Sequence, residues 1–263
     1  MNALKEPTLT TTKFILVTTQ RSGSTWVIDM LNSHPQIAAY GELFLDKGKG
    51  SPTWCGGKDV TFWNTYFEEV QVPFKKTIKS LFIFKYLNHV YSPRSSIKSV
   101  GFKLMYPQME RFRRELLAYI FLNKILIIHL IRANHLDVIL SQSTAAFRGV
   151  YHLRNSESTE NVKLHLNVLQ LVEQLQQQEE KILQAKSWYS KLGLPYMEVI
   201  YEELVADCRS FNAVLSFLGI KVDATKLSSS LKKINPKSHA ELIENYDSVR
   251  DVLQNTKFCE LLR

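Results

Sequence analysis

The chain has 263 residues, a length that suits one α/β domain over residues 1–263 and is short for two. Its composition, 45% hydrophobic and 22% charged, is that of a globular protein. An anionic cofactor accounts for the formal net charge of +8 as well as a nucleic acid does, and the lysines are scattered rather than clustered with aromatic residues, so we expect no nucleic-acid partner. Three widely separated cysteines argue against a disulfide framework or a zinc site and suit a reducing compartment.

The sequence also argues against a membrane protein. The N-terminal stretch MNALKEPTLTTTK has no apolar core of the kind found in signal peptides or anchors. The longest apolar region, Tyr119 to Ile131, is interrupted by Asn123, Lys124 and His129 and does not have the pattern of a membrane span. We therefore expect a cytoplasmic protein without a membrane partner.

The first structured stretch changes from a strand to a helix within a few residues. Phe14 to Val17 is a short apolar run typical of an inner parallel strand, and from Ser24 onward the apolar positions recur with helical spacing. The turn between them is polar and contains Gly23, which lets backbone approach a ligand, so we expect it to bind a phosphate. The candidate binding residues are Gln20, Arg21, Ser22, Gly23, Ser24, Thr25 and Trp26.

This turn differs from the loop that binds nucleoside triphosphates. That loop requires a glycine where this chain has Thr18 and a lysine where it has Ser24. The cation here, Arg21, comes earlier, and two hydroxyls close the turn, which fits one small anion better than a triphosphate with magnesium. An ordinary strand-to-helix turn without a ligand is the alternative for this stretch taken alone.

The segment TTQRSGSTWV resembles the 5′-phosphosulfate-binding loop of sulfotransferases that use 3′-phosphoadenosine 5′-phosphosulfate (PAPS), in particular the bacterial and carbohydrate-modifying branch. The resemblance implies a P-loop-like α/β fold, PAPS as the co-substrate, adenosine 3′,5′-bisphosphate as the product, and no metal. In those enzymes an "HP…GE" segment follows the loop, and its glutamate is the proposed general base. Glu42 matches that position, His34 is the competing base, and a solvated side chain is the alternative for Glu42.

Residues 46–98 are the least regular part of the chain. They carry nine Lys or Arg residues against four Asp or Glu residues, and they contain an aromatic group at Trp54, Phe62, Trp63, Tyr66 and Phe67. We interpret this segment as an acceptor-binding or lid region; the alternative is a helical subdomain whose aromatic side chains are core. Lys76 to Tyr91 predicts a helix within it.

Two further strands follow. Ser99 to Tyr106 predicts one, before a helix from Gln108 to Phe121, and "GFKLM" within the strand again resembles the bacterial enzymes, which implies that Lys103 faces the transferred group. Without the resemblance, Lys103 is a lysine at a strand end. Lys124 to Ile131 predicts an inner strand, in which we interpret His129 as a hydrogen-bonded core histidine.

The segment RANHLDVILS is the second candidate anion site. Arg132 ends a strand, and a helix capped near Asn134 brings Ser141 onto its near face two turns later, so both side chains can converge on one anion. The segment resembles the sulfotransferase residues that bind the 3′-phosphate. Two anion sites at the carboxyl ends of neighbouring strands match the place where such sheets bind ligands.

The last third predicts a helical stretch from Glu157 to Lys191 and a strand from Tyr196 to Tyr201, followed by a helix that Gly219 ends. The C-terminal segment resembles a basic loop that closes over the nucleotide in this family. The resemblance implies cofactor contacts from Lys233, Lys237 and Ser238, each of which is otherwise a surface residue.

Together these patterns predict a three-layer α/β sandwich with a central parallel sheet of about four or five strands. The implied function is transfer of a sulfuryl group from PAPS to a hydroxyl or amine of a small polar acceptor, a sugar or natural product. The alternatives are an ATP-dependent small-molecule kinase, a non-catalytic protein that binds adenosine 3′,5′-bisphosphate, and a nucleic-acid-binding protein.

Overall fold

The computed structural model describes residues 11–46, 52–53, 60–148, 163–221, 224–231 and 238–262. Within these ranges the strands are β1 Thr12–Thr18, β2 Ile37–Glu42, β3 Ser99–Met105, β4 Leu126–Ile131 and β5 Tyr196–Ile200. The helices are α1 Ser24–Asn32, α2 Trp63–Glu69, α3 Lys79–Val90, α4 Tyr106–Arg111, α5 Arg113–Leu122, α6 His135–Arg148, α7 Val168–Ser190, α8 Tyr201–Ala206, α9 Phe211–Phe217, α10 His239–Leu242 and α11 Tyr246–Leu253. Three 3₁₀ turns cover Cys208–Ser210, Ala224–Lys226 and Cys259–Leu261.

The strands form one parallel sheet in the order β2-β3-β1-β4-β5. The apolar runs of β1, β3 and β4 are almost wholly buried, as inner parallel strands require. Because every pair is parallel, the carboxyl ends of all five strands lie along one edge. The predicted α/β class with four or five parallel strands is confirmed, and β2 is a strand that the sequence pattern left unassigned.

Helices cover both faces of the sheet. Alternate residues of β1 point to opposite sides, so that Ile15 and Val17 pack with α3, α5 and α7, whereas Phe14 and Leu16 pack with α1 and α9. A third apolar cluster joins α6 to α7 and α11 at one end. The molecule therefore has the predicted three layers.

One predicted helix needs correction. The single helix predicted from Gln108 to Phe121 is two helices, α4 and α5, because Phe112 between them has φ −118 and leaves the helical region. Trp63 is only 4% exposed, and Tyr66 and Phe67 pack against the same cluster, so these three side chains contribute to the core, as the alternative for residues 46–98 expects. Trp54 and the start of the helix predicted from Glu157 lie outside the described residues.

Membrane insertion has a simple structural criterion. Of the helices in the described ranges, none combines the length and the apolar character needed to cross a bilayer.

The core contains a short polar chain at His129. Its Nε2 hydrogen bonds to the hydroxyl of Tyr106, and its Nδ1 lies 2.6 Å from the hydroxyl of Tyr196, which donates to Glu198. Burial raises the pKa of Tyr106, so this phenol stays protonated and its O–H donates a hydrogen bond to Nε2. His129 is thus the hydrogen-bonded core histidine that its position in β4 predicts.

The buried His129 makes the folding stability of the protein depend on pH. Burial lowers the pKa of His129 from 6.5 to about 4. Between pH 6.5 and pH 4, therefore, this histidine is protonated in the unfolded chain and neutral in the folded protein. The stability contribution is complete above pH 6.5 and is lost as pH falls through 4, a decrease of roughly 3 kcal/mol in unfolding free energy. Urea unfolding at several pH values measures it, with His129→Gln as a non-titrating control. Equal pH dependence in both proteins would contradict the assignment.

Candidate functional site

The turn between β1 and α1 has two residues with positive φ, Arg21 at 61° and Gly23 at 84°. The buried hydroxyl of Thr18 anchors it, lying 2.7 Å from Ser22 Oγ and 2.8 Å from the carbonyl oxygen of Leu130 on β4. No side chain caps the N-terminus of α1, which begins directly after Gly23. The turn is therefore a preformed backbone loop that opens a helix, with the geometry of an anion-binding site.

Gly23 cannot be replaced without cost. A Cβ there would lie 2.0 Å from the ring of Tyr201, and its φ is in the left-handed region. A positive φ alone costs an alanine about 1–2 kcal/mol, and we expect Gly23→Ala to lower the free energy of unfolding by more than this. Denaturant unfolding measures the loss, and Gly193→Ala is the matched control, because Gly193 has φ 60 but nothing within 4 Å of its added Cβ. Equal losses in both variants would show that Tyr201 gives way freely.

Three predicted residues meet at the carboxyl ends of β2 and β3. Lys103 Nζ lies 3.1 Å from Thr25 Oγ1 on α1 and 3.3 Å from Glu42 Oε1. Strand register explains the meeting: Glu42 pairs with Lys103 across the two strands, after an irregularity between Tyr40 and Glu42. The structure thus brings together the Glu42 carboxylate, the Lys103 ammonium group and the hydroxyl of Thr25 in the first turn of α1.

Gln108 orients the carboxylate of this cluster. Its side-chain Nε2 donates to Glu42 Oε2 over 2.8 Å, and its Oε1 accepts from the backbone N–H of Met105 over 3.1 Å. Sequence analysis missed Gln108. The available signal was its place just after the carboxyl end of β3, the edge at which the other candidate residues were found.

The charge of Lys103 is set by its surroundings. Burial is the largest effect and lowers the pKa of Lys103, Glu42 opposes that decrease, and Arg21 adds to it. Only 7% of the Lys103 side chain is exposed, against 22% for Glu42. Arg21 therefore lies close enough to Lys103 for the two charges to interact.

Arg21 also reaches the second candidate anion site. Its Nε donates to Ser141 Oγ on α6 over 3.0 Å, and its carbonyl oxygen accepts from Arg132 Nη1 over 3.0 Å. The sequence predicts that Arg132 and Ser141 converge on one anion directly. In the structure they are linked through Arg21, which connects the two predicted anion sites.

Arg132 is almost buried, with 8% of its side chain exposed. Its Nη2 is 2.6 Å from Asp137 Oδ2, and its guanidinium lies 5.1 Å from the centre of the Tyr201 ring. Within the described part of the chain Nε is buried with no hydrogen-bond partner, and an oxygen of the Glu202 carboxylate lies 4.0 Å from it. Glu202 instead accepts from the backbone N–H groups of Ala133 and Asn134 and fixes the turn after β4.

The remaining predicted residues lie elsewhere or serve other contacts. His34 follows α1 and precedes β2, at the edge opposite to Glu42 and about 16 Å of strand away, and its Nδ1 accepts from the N–H of Gln36. Trp26 packs edge-on against Tyr201 and Phe211. Gln20 is an exposed turn residue.

Of the C-terminal residues, Lys233 and Lys237 lie outside the described ranges. Ser238 caps α10 through a reciprocal pair of contacts with Glu241, including a 2.8 Å hydrogen bond between its hydroxyl and Glu241 Oε2. The next residue, His239, contacts Asp137, a contact that the sequence analysis did not foresee.

A model of the sulfotransferase domain family matches residues 11–248 of this chain. No curated protein sequence matches this chain significantly. A solved sulfotransferase from Alicyclobacillus acidocaldarius is similar over 86% of this chain and 87% of its own, with 12% identity and a TM-score of 0.45. The sulfotransferase domain of the Synechococcus PCC 7002 olefin synthase is similar over 100% of this chain and 90% of its own, with 17% identity and a TM-score of 0.43.

Proposed function

This chain belongs to the sulfotransferase domain family, and we propose that it transfers a sulfuryl group from PAPS to a hydroxyl or amine of a small polar acceptor. The observation that carries the proposal is the contact of Lys103 with both Glu42 and Thr25, because it places a buried cation between a candidate base and the loop that opens α1. A transfer site needs these two functions side by side: a group that takes a proton and a group that stabilises developing negative charge.

The donor would be held by the two linked anion sites. The loop backbone, Thr25 and Lys103 would hold the phosphosulfate end, whereas Arg132 and Ser141 would hold the 3′-phosphate. The Nε of Arg132, which has no partner among the described residues, supports this fit, since a buried guanidinium N–H without an acceptor is costly unless an anion supplies one. Arg21, hydrogen-bonded to Ser141 and close enough to affect Lys103, would contribute to both ends.

PAPS, when bound, supplies the sulfuryl group: the acceptor oxygen or nitrogen forms a bond to sulfur, and the bond from sulfur to the 5′-phosphate oxygen breaks, with its electron pair leaving on that oxygen. The acceptor proton goes to Glu42. Gln108 and Lys103 each occupy one carboxylate oxygen of Glu42, which leaves lone pairs on both oxygens for the acceptor. Lys103 and Arg21 are placed to stabilise the charge that develops on the donor side.

The acceptor side is proposed to lie in residues 46–98 of a single domain spanning residues 1–263. A cavity of about 300 Å³ borders the described part of this segment. Its lining is mostly aromatic and charged, from Asp46, Trp63, Phe67, Glu68, Lys79, Arg111 and Phe112, and is completed by Leu45 and Asn64. Arg111 follows Gln108 by one turn of α4, so one helix connects Glu42 to this cavity. Aromatic and charged walls suit a sugar or a polar natural product.

Incubation of the protein with PAPS and a panel of sugars and hydroxyl- or amine-bearing natural products tests the function. We expect release of adenosine 3′,5′-bisphosphate together with a product that mass spectrometry identifies as the sulfated acceptor, both unaffected by a chelator. Phosphorylated products formed from ATP and magnesium would support the kinase alternative. Tight bisphosphate binding without turnover of any acceptor would support a non-catalytic binding protein.

A further inference from the structure

Asp137 lies between Arg132 and a histidine from the C-terminal part of the chain. Its Oδ2 is 2.6 Å from Arg132 Nη2, and its Oδ1 is 2.9 Å from His239 Nε2. Because a carboxylate oxygen only accepts, His239 donates its Nε2 proton. The side chains of Arg132 and His239 are only 8% and 6% exposed, so the contact is shielded from water.

The position of Asp137 is fixed by its own helix. Its backbone N–H donates to Asn134 Oδ1 over 3.0 Å in the N-terminal cap of α6. Arg132 and His239 each hold one oxygen of the Asp137 carboxylate and so restrict its rotation. Arg132 Nη1 is held by the carbonyl of Arg21 and Nη2 by Asp137, so these two contacts together orient the guanidinium over the Tyr201 ring.

His239 is held firmly enough to act on this carboxylate. It is the first residue of α10, whose N-terminus Ser238 and Glu241 cap reciprocally. The chain just beyond pairs with Leu164, which donates to the carbonyl of Leu242 over 2.8 Å and accepts from the N–H of Glu244 over 2.9 Å. The following Ile243 is 2% exposed and packs in the same apolar cluster as α6. The C-terminal segment is thus docked on the helix that carries Asp137.

We propose that His239 is a positioning residue that acts through Asp137 to orient Arg132, and so sets the preference for nucleotides that carry a 3′-phosphate. The inference rests on the proposed role of Arg132 in binding that phosphate. If the contact is removed, Oδ1 of Asp137 loses the His239 N–H, and the carboxylate can turn to cover more of the guanidinium and compete with the phosphate for its N–H groups. Binding of a nucleotide without a 3′-phosphate does not use those groups and stays unchanged.

Calorimetric titration of His239→Leu with adenosine 3′,5′-bisphosphate and with AMP tests the inference. We expect the ratio of the two affinities to fall fivefold or more, about 1 kcal/mol, with AMP affinity retained within about twofold. His239→Gln, which can still place an amide N–H near Asp137, should restore most of the ratio, whereas the shorter His239→Asn should not. His165→Leu is the matched control, because His165 pairs with Glu244 of the same segment but is 69% exposed.

The outcomes separate the inference from the proposed function. In an Arg132→Ala background, His239→Leu should change the affinity ratio no further. Equal losses for both nucleotides, or equal behaviour of the Gln and Asn variants, would overturn the positioning role and leave the proposed function intact. A wild-type protein that shows no preference for the bisphosphate over AMP would overturn the proposed role of Arg132, and the inference with it. If His239→Leu does not fold, the Gln and Asn pair makes the same comparison.

Discussion

Glu42→Gln is expected to lower kcat for sulfuryl transfer by about 10²- to 10⁴-fold, while affinity for adenosine 3′,5′-bisphosphate stays within about twofold. The amide cannot take up the acceptor proton, but it has the shape of the carboxylate. Its oxygen can still accept from Gln108, whose Nε2 lies 2.8 Å from Glu42 Oε2 in the wild-type protein. The loss should therefore fall on turnover and not on binding. Single-turnover kinetics with saturating PAPS, together with calorimetry on the bisphosphate, separates the two.

Glu198→Gln is the matched control for this variant. Glu198 also belongs to a strand and pairs with a lysine, Lys186 at 2.6 Å, but it lies on β5, the strand at the other edge of the sheet from β2. It should leave turnover unchanged. Normal turnover in Glu42→Gln would move the base elsewhere in the protein and contradict the proposed mechanism.

Lys103→Met is the second large effect, with an expected loss in kcat of about 10²- to 10³-fold. Methionine fills much of the volume of the buried lysine stem but carries no charge, so it removes the cation that lies 3.1 Å from Thr25 and 3.3 Å from Glu42. Negative charge that develops on the donor side then loses its nearest buried counter-charge. Because Lys103 and Glu42 contact each other, the double variant should lose much less than the product of the two single losses.

Lys13→Met controls for the loss of a lysine from the sheet. Lys13 lies near the start of β1, and its Nζ donates to Asn123 at the end opposite to the candidate site. Its replacement should leave kcat unchanged. If Lys103→Met turned over at the wild-type rate, Lys103 would have no role in the transfer step. If its loss simply multiplied with that of Glu42→Gln, the two residues would act independently, and the proposed coupling between them would be wrong.

The sheet could largely be predicted because its inner strands are continuous apolar runs. Phe14 to Val17 and Lys124 to Ile131 have this pattern, and both stretches form strands that are buried on both faces. The strand β2 could not be found in this way, since only Ile37 to Tyr40 are apolar, two of these four residues are alanines with low strand propensity, and a glycine follows. It forms because its backbone pairs with β3, a tertiary contact that no local pattern reports.

The site could be predicted where residues stand at the carboxyl end of a strand. This rule, with the family resemblance, selected Glu42, Lys103 and Arg132, and the structure brings the first two into contact. It could not give the partners of these residues, because those partners are set by packing between distant segments. His239 reaches Asp137 across 102 positions, and Arg21 reaches Ser141 across 120.

His34, the competing candidate for the base, lies eight positions before Glu42 in the sequence. The intervening strand β2 is extended, so those positions carry the two side chains to opposite edges of the sheet. Sequence distance was a poor guide here because a strand separates its ends far more than a helix or turn of the same length.

Binding of the nucleotide product tests the central claim most directly, because it needs no knowledge of the acceptor. We would titrate the protein calorimetrically with adenosine 3′,5′-bisphosphate, with AMP and with ATP and magnesium. The bisphosphate is expected to bind at least tenfold more tightly than AMP, a difference of about 1.4 kcal/mol, because only it can engage Arg132 and Ser141 as well as the loop before α1. Tightest binding of ATP with magnesium would contradict a PAPS-dependent sulfotransferase and favour a kinase.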